Sequence, residues 1–278
     1  MSKLKSLWNI MLATDSYKPS HDPMYPEGMT YMESYFEARG GEYPFTMQFG
    51  TQYYIKEYLL GQQVTREKID EAKAFYAAHF GSDKVFNSSV WEYILINHNG
   101  CLPLAIEAVP EGSIVGTGNM LYKMYNTDPN CAKLVNIALE TLMMKTWYPT
   151  TIATNSMAGH EVLEYFRSFA SQAPDVKFLL HDFGYRGVAS EEQAWIGGAA
   201  HLLSFRGSDN IAGIRMLMHY YNAPMCGFSI PATEHSVMAS HMIQYNEQIE
   251  EDYYVEIETD ETGKIISEIE IQNPNLVL

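Results

Sequence analysis

Lys177-Phe178-Leu179-Leu180-His181-Asp182-Phe183-Gly184-Tyr185-Arg186-Gly187 is the stretch whose reading decides the fold. Phe178-Leu179-Leu180 is an apolar run short enough for a buried strand. The chain then turns polar, and His181, Asp182, Phe183, Tyr185 and Arg186 crowd around Gly184 and Gly187. Ser190-Glu191-Glu192-Gln193 follows with the spacing of a capping box and so starts a helix. Strand, polar loop and helix make one βα unit, with its chemistry gathered on the loop.

The same order recurs twice. Residues 201–205 read as a strand, Arg206 to Asp209 as a loop, and 210–221 as a helix. After Pro224, residues 226–230 read as a strand, and Pro231-Ala232-Thr233-Glu234-His235-Ser236 leads into another helical start. In a parallel α/β sheet or barrel such loops lie side by side at the carboxyl ends of the strands, where ligands bind. The topology therefore predicts that Phe183, Arg186, Asp209, Ser229 and His235 converge.

Outward from this region, the amino-terminal side reads as mixed α and β. Residues 30–37 alternate like a strand and end in the turn Arg39-Gly40-Gly41; residues 46–60 and 65–80 read as helices. The second is the clearer, with Thr65 as cap and Ile69, Ala72, Tyr76 and Phe80 on one face. Trp91 to Ile96 reads as a short helix, and 104–109, 114–115 and 120–125 as strands joined by glycine-bearing turns. Asp128-Pro129 pairs a cap with a first-turn proline, starting a helix expected to run to about Trp147. Tyr148-Pro149 interrupts it, and a second long helix follows to about Phe169. The expected division is a mixed α+β domain over 1–150, a partial βα barrel over 151–245 and an acidic tail over 246–278.

Composition excludes whole classes. The net charge is −16 and offers no basic stripe for a nucleic-acid backbone. Residues 247–278 carry ten carboxylates against one lysine, so the body is only mildly acidic. Strand-like alternation over 253–271 flanks Asp260-Glu261-Thr262-Gly263, as in a hairpin. Three cysteines, Cys101, Cys131 and Cys226, are far apart and form no Cys-x-x-Cys pair, so a reducing cytoplasm is expected. No apolar run approaches the roughly 18 residues of a membrane span.

Several side chains have chemistry worth weighing. His235 after a buried strand can exchange protons or meet an oxyanion, or it can cap a helix. His181 reads as structural. Arg186, glycine-flanked beside a helix start, suits a phosphate, or pairs with Asp182 or Glu191 at the surface. Asp209 is a helix cap or an acceptor for an amide or hydroxyl. Phe183 on a polar loop can stack on a planar ring, and Tyr17 sits among Asp15, Ser16 and Lys18 rather than in an apolar run. No metal-spaced His, Cys or carboxylate set occurs, so no protein metal site is expected.

His-Asp-Phe-Gly-Tyr-Arg-Gly and Pro-Ala-Thr-Glu-His-Ser resemble the nicotinamide phosphoribosyltransferase family. Ala13-Thr14-Asp15-Ser16-Tyr17-Lys18, Trp147-Tyr148-Pro149 and Ala153-Thr154-Asn155-Ser156 share the likeness. The family belongs to the type II phosphoribosyltransferases, close to nicotinate phosphoribosyltransferase. The likeness covers most of residues 7–240 and fades after about Tyr245. It implies a pentosyltransferase that makes nicotinamide mononucleotide and pyrophosphate from nicotinamide and phosphoribosyl pyrophosphate, with Mg2+. Phe183 and Tyr17 of a second subunit would sandwich the pyridine ring, with Asp15 also at the substrate. Asp209 would accept from the carboxamide, with Ser229 and Ile230 lining the pocket. Arg186 would hold phosphate, Arg39 would reach it across a homodimer, and His235 would contact pyrophosphate. In the family that histidine is phosphorylated when ATP hydrolysis is coupled to synthesis.

The family's enzymes are far longer, and three βα units cannot close an eight-stranded barrel. The resemblance therefore implies a truncated or split sequence, with a separately encoded carboxyl-terminal half as a possible partner. Three other readings stay open: a nicotinate phosphoribosyltransferase, which the charge of Asp209 disfavours; a non-catalytic nicotinamide-binding or dimerisation module; and a fragment without a stable fold.

Overall fold

The computed structural model describes residues 7–170, 172, 174–242 and 253–272. The chain falls into two compact units, Met1–Ser229 and Ile230–Leu278. No break falls at 150, because one helix runs through that position.

In the first unit, β1 (Glu33–Glu37), β5 (Met120–Asn126) and β3 (Leu104–Ala108) form an antiparallel sheet in the order β1-β5-β3. Tyr35 faces Lys123 in one pairing and Ala105 faces Tyr125 in the other. A smaller sheet joins β2 (Phe45–Met47) to β4 (Ile114–Gly116). The helix expected over 46–60 is thereby corrected. Its first residues are strand, Gly50 breaks the chain with φ of +99°, and only α1 (Thr51–Tyr54) and a π-helical turn (Ile55–Leu59) follow. Thr154 is the reason the strand is held: its Oγ1 accepts from the Met47 N–H at 2.9 Å and bonds Thr46 Oγ1 at 2.9 Å.

Helix α2 (Arg66–Phe80) forms where its cap and spacing place it. Thr65 accepts from the Lys68 N–H, Gly81 closes it with φ of +65°, and Ile69, Ala72 and Tyr76 are buried. They pack with Ile10, Met11, α3 (Ser89–Asn97) through Trp91 and Ile94, and Leu134. A second core joins Phe49, Tyr53, Tyr122, Leu139 and Met143 to Ala153, Ile196 and Met216, so the sheet and the following helices share one interior.

The helix expected from Asp128 to Trp147 is instead a succession of turns. A 3-10 turn (Pro129–Cys131), a π-helical segment (Val135–Leu139), α4 (Glu140–Met143) and a second 3-10 turn (Met144–Thr146) follow one another. The segment serves both cores: Leu134 and Ala138 enter one, Val135 and Leu139 the other. A regular α-helix presents one apolar stripe of limited width, and the wider π turn spreads these side chains over two. Helix α5 (Trp147–Arg167) then starts with Pro149 in its first turn, where a missing N–H is tolerated, so Tyr148-Pro149 begins this helix rather than interrupting it.

The three expected parallel strands are the main correction. Residues 176–178 are a 3-10 turn, residue 201 closes α6 (Glu191–His201), and α7 (Ile211–Tyr220) follows Asn210. What remains of the sheet is two parallel bridges, Asp182 to Ser208 and Gly207 to Phe228. The bonds across them are sound: Asp209 N–H to Asp182 O at 2.7 Å, Ser208 N–H to Phe228 O at 2.9 Å and Phe228 N–H to Arg206 O at 2.7 Å. Parallel strands are stable when both faces are covered. Here Phe178, Leu179, Leu180 and Phe228 are each 43–48% exposed, so pairing stays confined to the loop-proximal residues. Side-chain-free contact between Gly198 and Gly213 lets α6 and α7 approach closely enough to carry that remnant.

In the second unit, residues 235–242 are helical, and β6 (Tyr253–Thr259) pairs antiparallel with β7 (Ile265–Gln272). Asp260 and Gly263, with φ of +82°, make the turn between them.

Candidate functional site

Asp209 lies just past the bridged residues, and two side chains converge on its carboxylate. Ser229 Oγ donates to Oδ1, and His181 Nε2 lies 3.0 Å from the same oxygen. These two hydrogen bonds, Ser229 first, hold the Asp209 carboxyl below the usual carboxylate range. Asp209 is not the helix cap: Asn210 fills that place, accepting from the Gly213 N–H and donating to Ala194 O at 2.9 Å. The carboxylate is thus free of structural duty at the helix.

Phe183 follows directly on Asp182, whose carbonyl takes the Asp209 N–H. Its ring is 73% exposed and so offers a face to a ligand. The bridges bring three segments side by side, with Phe183 one residue past the first, Asp209 one past the second and Ser229 one past the third, and His181, which the sequence assigned to structure, reaches Asp209 from the first. The only sequence signal for His181 was its place before Asp182 on the same loop.

Behind them, His201 is buried and bonded on both ring nitrogens. Nε2 lies 3.2 Å from Gly207 O and Nδ1 3.3 Å from Ser156 Oγ, and Phe205 stacks on the ring at 5.0 Å. Burial pushes its pKa down, keeping the ring neutral, with Nε2–H as donor to the carbonyl. A cavity of about 370 Å³ opens among Tyr148, Leu180, His181, Asp182, Gly197 and His201.

Arg186 stands exposed in the 3-10 turn Gly184–Gly187. Neither expected surface partner holds it: Asp182 accepts from the Gly184 N–H at 2.9 Å, and Glu191 accepts from the Tyr185 hydroxyl. Tyr17 is 53% exposed, and among the described residues its ring meets the edge of His21 and the ammonium of Lys18. Asp15 is exposed and accepts the Lys18 N–H through its carbonyl. Arg39 lines an open cleft of about 790 Å³ with Glu37, Trp147 and Asn155. Ile230 and His235 belong to the second unit, where Ile230 is 78% exposed and His235 begins the helical segment 235–242.

One group among the described residues brings three ligand types together: His98, Asp128 and Cys131, with ligating atoms within 4.8 Å of one another. Asp128 is already saturated by the Asn130 N–H, the Tyr93 hydroxyl and His98 at 2.7 Å. Burial pushes the Cys131 thiol up to about 12. A neutral thiol beside a saturated carboxylate is a helix-start network, not an ion cage.

Against known proteins, residues 9–106 match the family described as nicotinamide phosphoribosyltransferase, N-terminal domain. Residues 178–259 match the nicotinate phosphoribosyltransferase family. The chain matches the amino-terminal half of the nicotinamide phosphoribosyltransferase family. The nicotinamide phosphoribosyltransferase of Xanthomonas campestris pv. campestris (strain 8004) is 43% identical over 234 residues, 84% of this chain and 49% of that protein. That of Acinetobacter baylyi is 30% identical over 247 residues, 83% of this chain against 48% of the relative. The chain therefore spans about half the length of these phosphoribosyltransferases. The crystal structure of human nicotinic acid phosphoribosyltransferase superposes with a TM-score of 0.56 at 19% identity, over 82% of this chain and 40% of the human one, a likeness of fold. The second family match reaches residue 259, beyond Tyr245 and to the end of β6, so the family likeness extends into the acidic hairpin. Among the described residues no helix is long and apolar enough to cross a membrane.

Proposed function

We propose that this chain supplies the nicotinamide-recognising half of a phosphoribosyltransferase. Nicotinamide and phosphoribosyl pyrophosphate would give nicotinamide mononucleotide and pyrophosphate. The observation that carries the reading is the Asp209 carboxylate, held by Ser229 and His181, with Phe183 exposed on the loop whose Asp182 carbonyl takes the Asp209 N–H.

The chemistry asks little of the protein beyond placement. The ring nitrogen of nicotinamide attacks the ribose carbon that bears pyrophosphate; a C–N bond forms as the C–O bond breaks. Phe183 would stack on the pyridine plane, with Tyr17 of a second copy on its other face. Asp209 would accept from the carboxamide NH₂, which sets the ring's rotation. Nicotinate would bring a second carboxylate against Asp209, and like charges at contact repel. Asp15 and Ile230 would lie at the same substrate. Arg186 and Arg39 would neutralise phosphate, and His235 would meet pyrophosphate or carry a phosphoryl group from ATP.

Mg2+ would arrive with the pyrophosphate, whose oxygens are the ligands a hard cation prefers. The His98–Asp128–Cys131 group does not fit it. A shared-site homodimer is supported by the exposure of Tyr17 and of Arg39 on its open cleft. The exposed Phe178, Leu179, Leu180 and Phe228 support a complementary set of βα units packing on them, whether from a separately encoded half or a continuation. A reducing cytoplasm suits the three free cysteines.

Purified chain incubated with nicotinamide, phosphoribosyl pyrophosphate and magnesium tests this directly. Mononucleotide formation supports turnover. Calorimetric binding of nicotinamide without product supports a base-binding half or a non-catalytic module. Binding of nicotinate at equal strength favours the nicotinate alternative, and binding of neither base removes the proposal.

A further inference from the structure

We infer that His181 is a specificity-determining positioning residue, which with Ser229 ties up Asp209 Oδ1 so that Oδ2 alone is offered to a ligand amide. The inference rests on the base-binding reading above and deepens it. Both side-chain contacts of Asp209 fall on Oδ1: the Ser229 hydroxyl and, at 3.0 Å, His181 Nε2. Among the described residues Oδ2 has no hydrogen-bond partner, and the Asp209 side chain is 45% exposed.

A carboxylate bonded once can rotate and present either oxygen. Two donors arriving from different segments on one oxygen stop that rotation. His181 comes from the first bridged segment and Ser229 from the third, so the lock spans all three. The imidazole must be the Nε2–H form to donate to a carboxylate. The space for this ring exists because position 207 carries no side chain, with Nδ1 occupying what a Cβ would fill. A fixed, unshared Oδ2 accepts one amide N–H and repels a carboxylate, which is the discrimination between a neutral pyridine amide and its acid. His181 touches no substrate in this arrangement; it acts through Asp209.

The test uses the full chain and calorimetric titration with nicotinamide and with nicotinate. His181→Gln retains an N–H donor at about the reach of Nε2 and is expected to bind nicotinamide within about threefold of wild type. His181→Leu, of similar bulk without a donor, is expected to lose about 10-fold or more in nicotinamide affinity and to narrow the preference over nicotinate. Leu and Gln variants with equal losses would make the role one of packing and overturn the inference, as would a Leu variant that binds like wild type. A long-range 1H–15N correlation separates this inference from the function it rests on. A wild-type chain that binds nicotinamide with His181 in the Nδ1–H form loses the positioning role alone. A wild-type chain that binds no nicotinamide loses both.

Discussion

The ring of His181 stands in the space that a side chain at position 207 would need: a Cβ on Gly207 would lie 2.7 Å from Nδ1 and 3.4 Å from Cγ. Gly207 itself is buried, with its carbonyl bonded to His201 at 3.2 Å. The residue is held from both sides, so a methyl group there cannot be absorbed by backbone movement. Gly207→Ala is expected to cost about 1–3 kcal/mol, measured by urea unfolding, and to weaken nicotinamide binding through displacement of His181. An alanine variant as stable as wild type and binding equally well would show that the histidine has another resting place.

Phe183 separates binding from stability. At 73% exposure it packs against little, so Phe183→Ala should change the unfolding free energy by no more than about 0.5 kcal/mol. Loss of a stacked aromatic face should still weaken nicotinamide binding about 5- to 10-fold. The two titrations, one with denaturant and one with ligand, are expected to disagree in this way. A variant with unchanged ligand affinity removes Phe183 from the site.

His201 gives the protein a pH-dependent stability. Burial depresses its folded-state pKa, whereas the unfolded ring titrates near 6.5. As pH falls through that value the unfolded chain takes up a proton that the folded one refuses. Stability therefore declines with falling pH, by at most about 1.4 kcal/mol per pH unit for this one group. Urea midpoints at mildly acidic and neutral pH should show that slope, and His201→Gln should flatten it. An unchanged slope in the variant would assign the effect elsewhere.

The contact of α6 with α7 rests on two glycines. A Cβ at Gly213 would lie 2.5 Å from the Gly198 carbonyl carbon and 2.7 Å from its Cα. Gly213→Ala must push the helices apart, an expected loss of about 1–3 kcal/mol despite alanine's better helix propensity. Gly187→Ala is the control, since nothing lies within 4 Å of a Cβ there. Thermal melts of the two variants should differ accordingly; matched melting temperatures would show that the helices can separate at no cost.

What the sequence determined by itself was local. Helix α2 follows from Thr65, Gly81 and the spacing of Ile69, Ala72 and Tyr76, all within one stretch of chain. The hairpin turn follows from Asp260 and Gly263, and the resemblance to the phosphoribosyltransferases from two short words of sequence. Tertiary structure decided whatever depends on distant partners. Residues 178–180, 201–205 and 226–230 have the apolar content of strands, yet parallel pairing needs covered faces, and only the bridges at Asp182–Ser208 and Gly207–Phe228 form. The segment Val135–Leu139 winds as a π helix because two cores compete for its side chains. His181 acquired its place beside Asp209 in the same way, since no spacing along the chain records which oxygen of a carboxylate 28 positions away a histidine will hold.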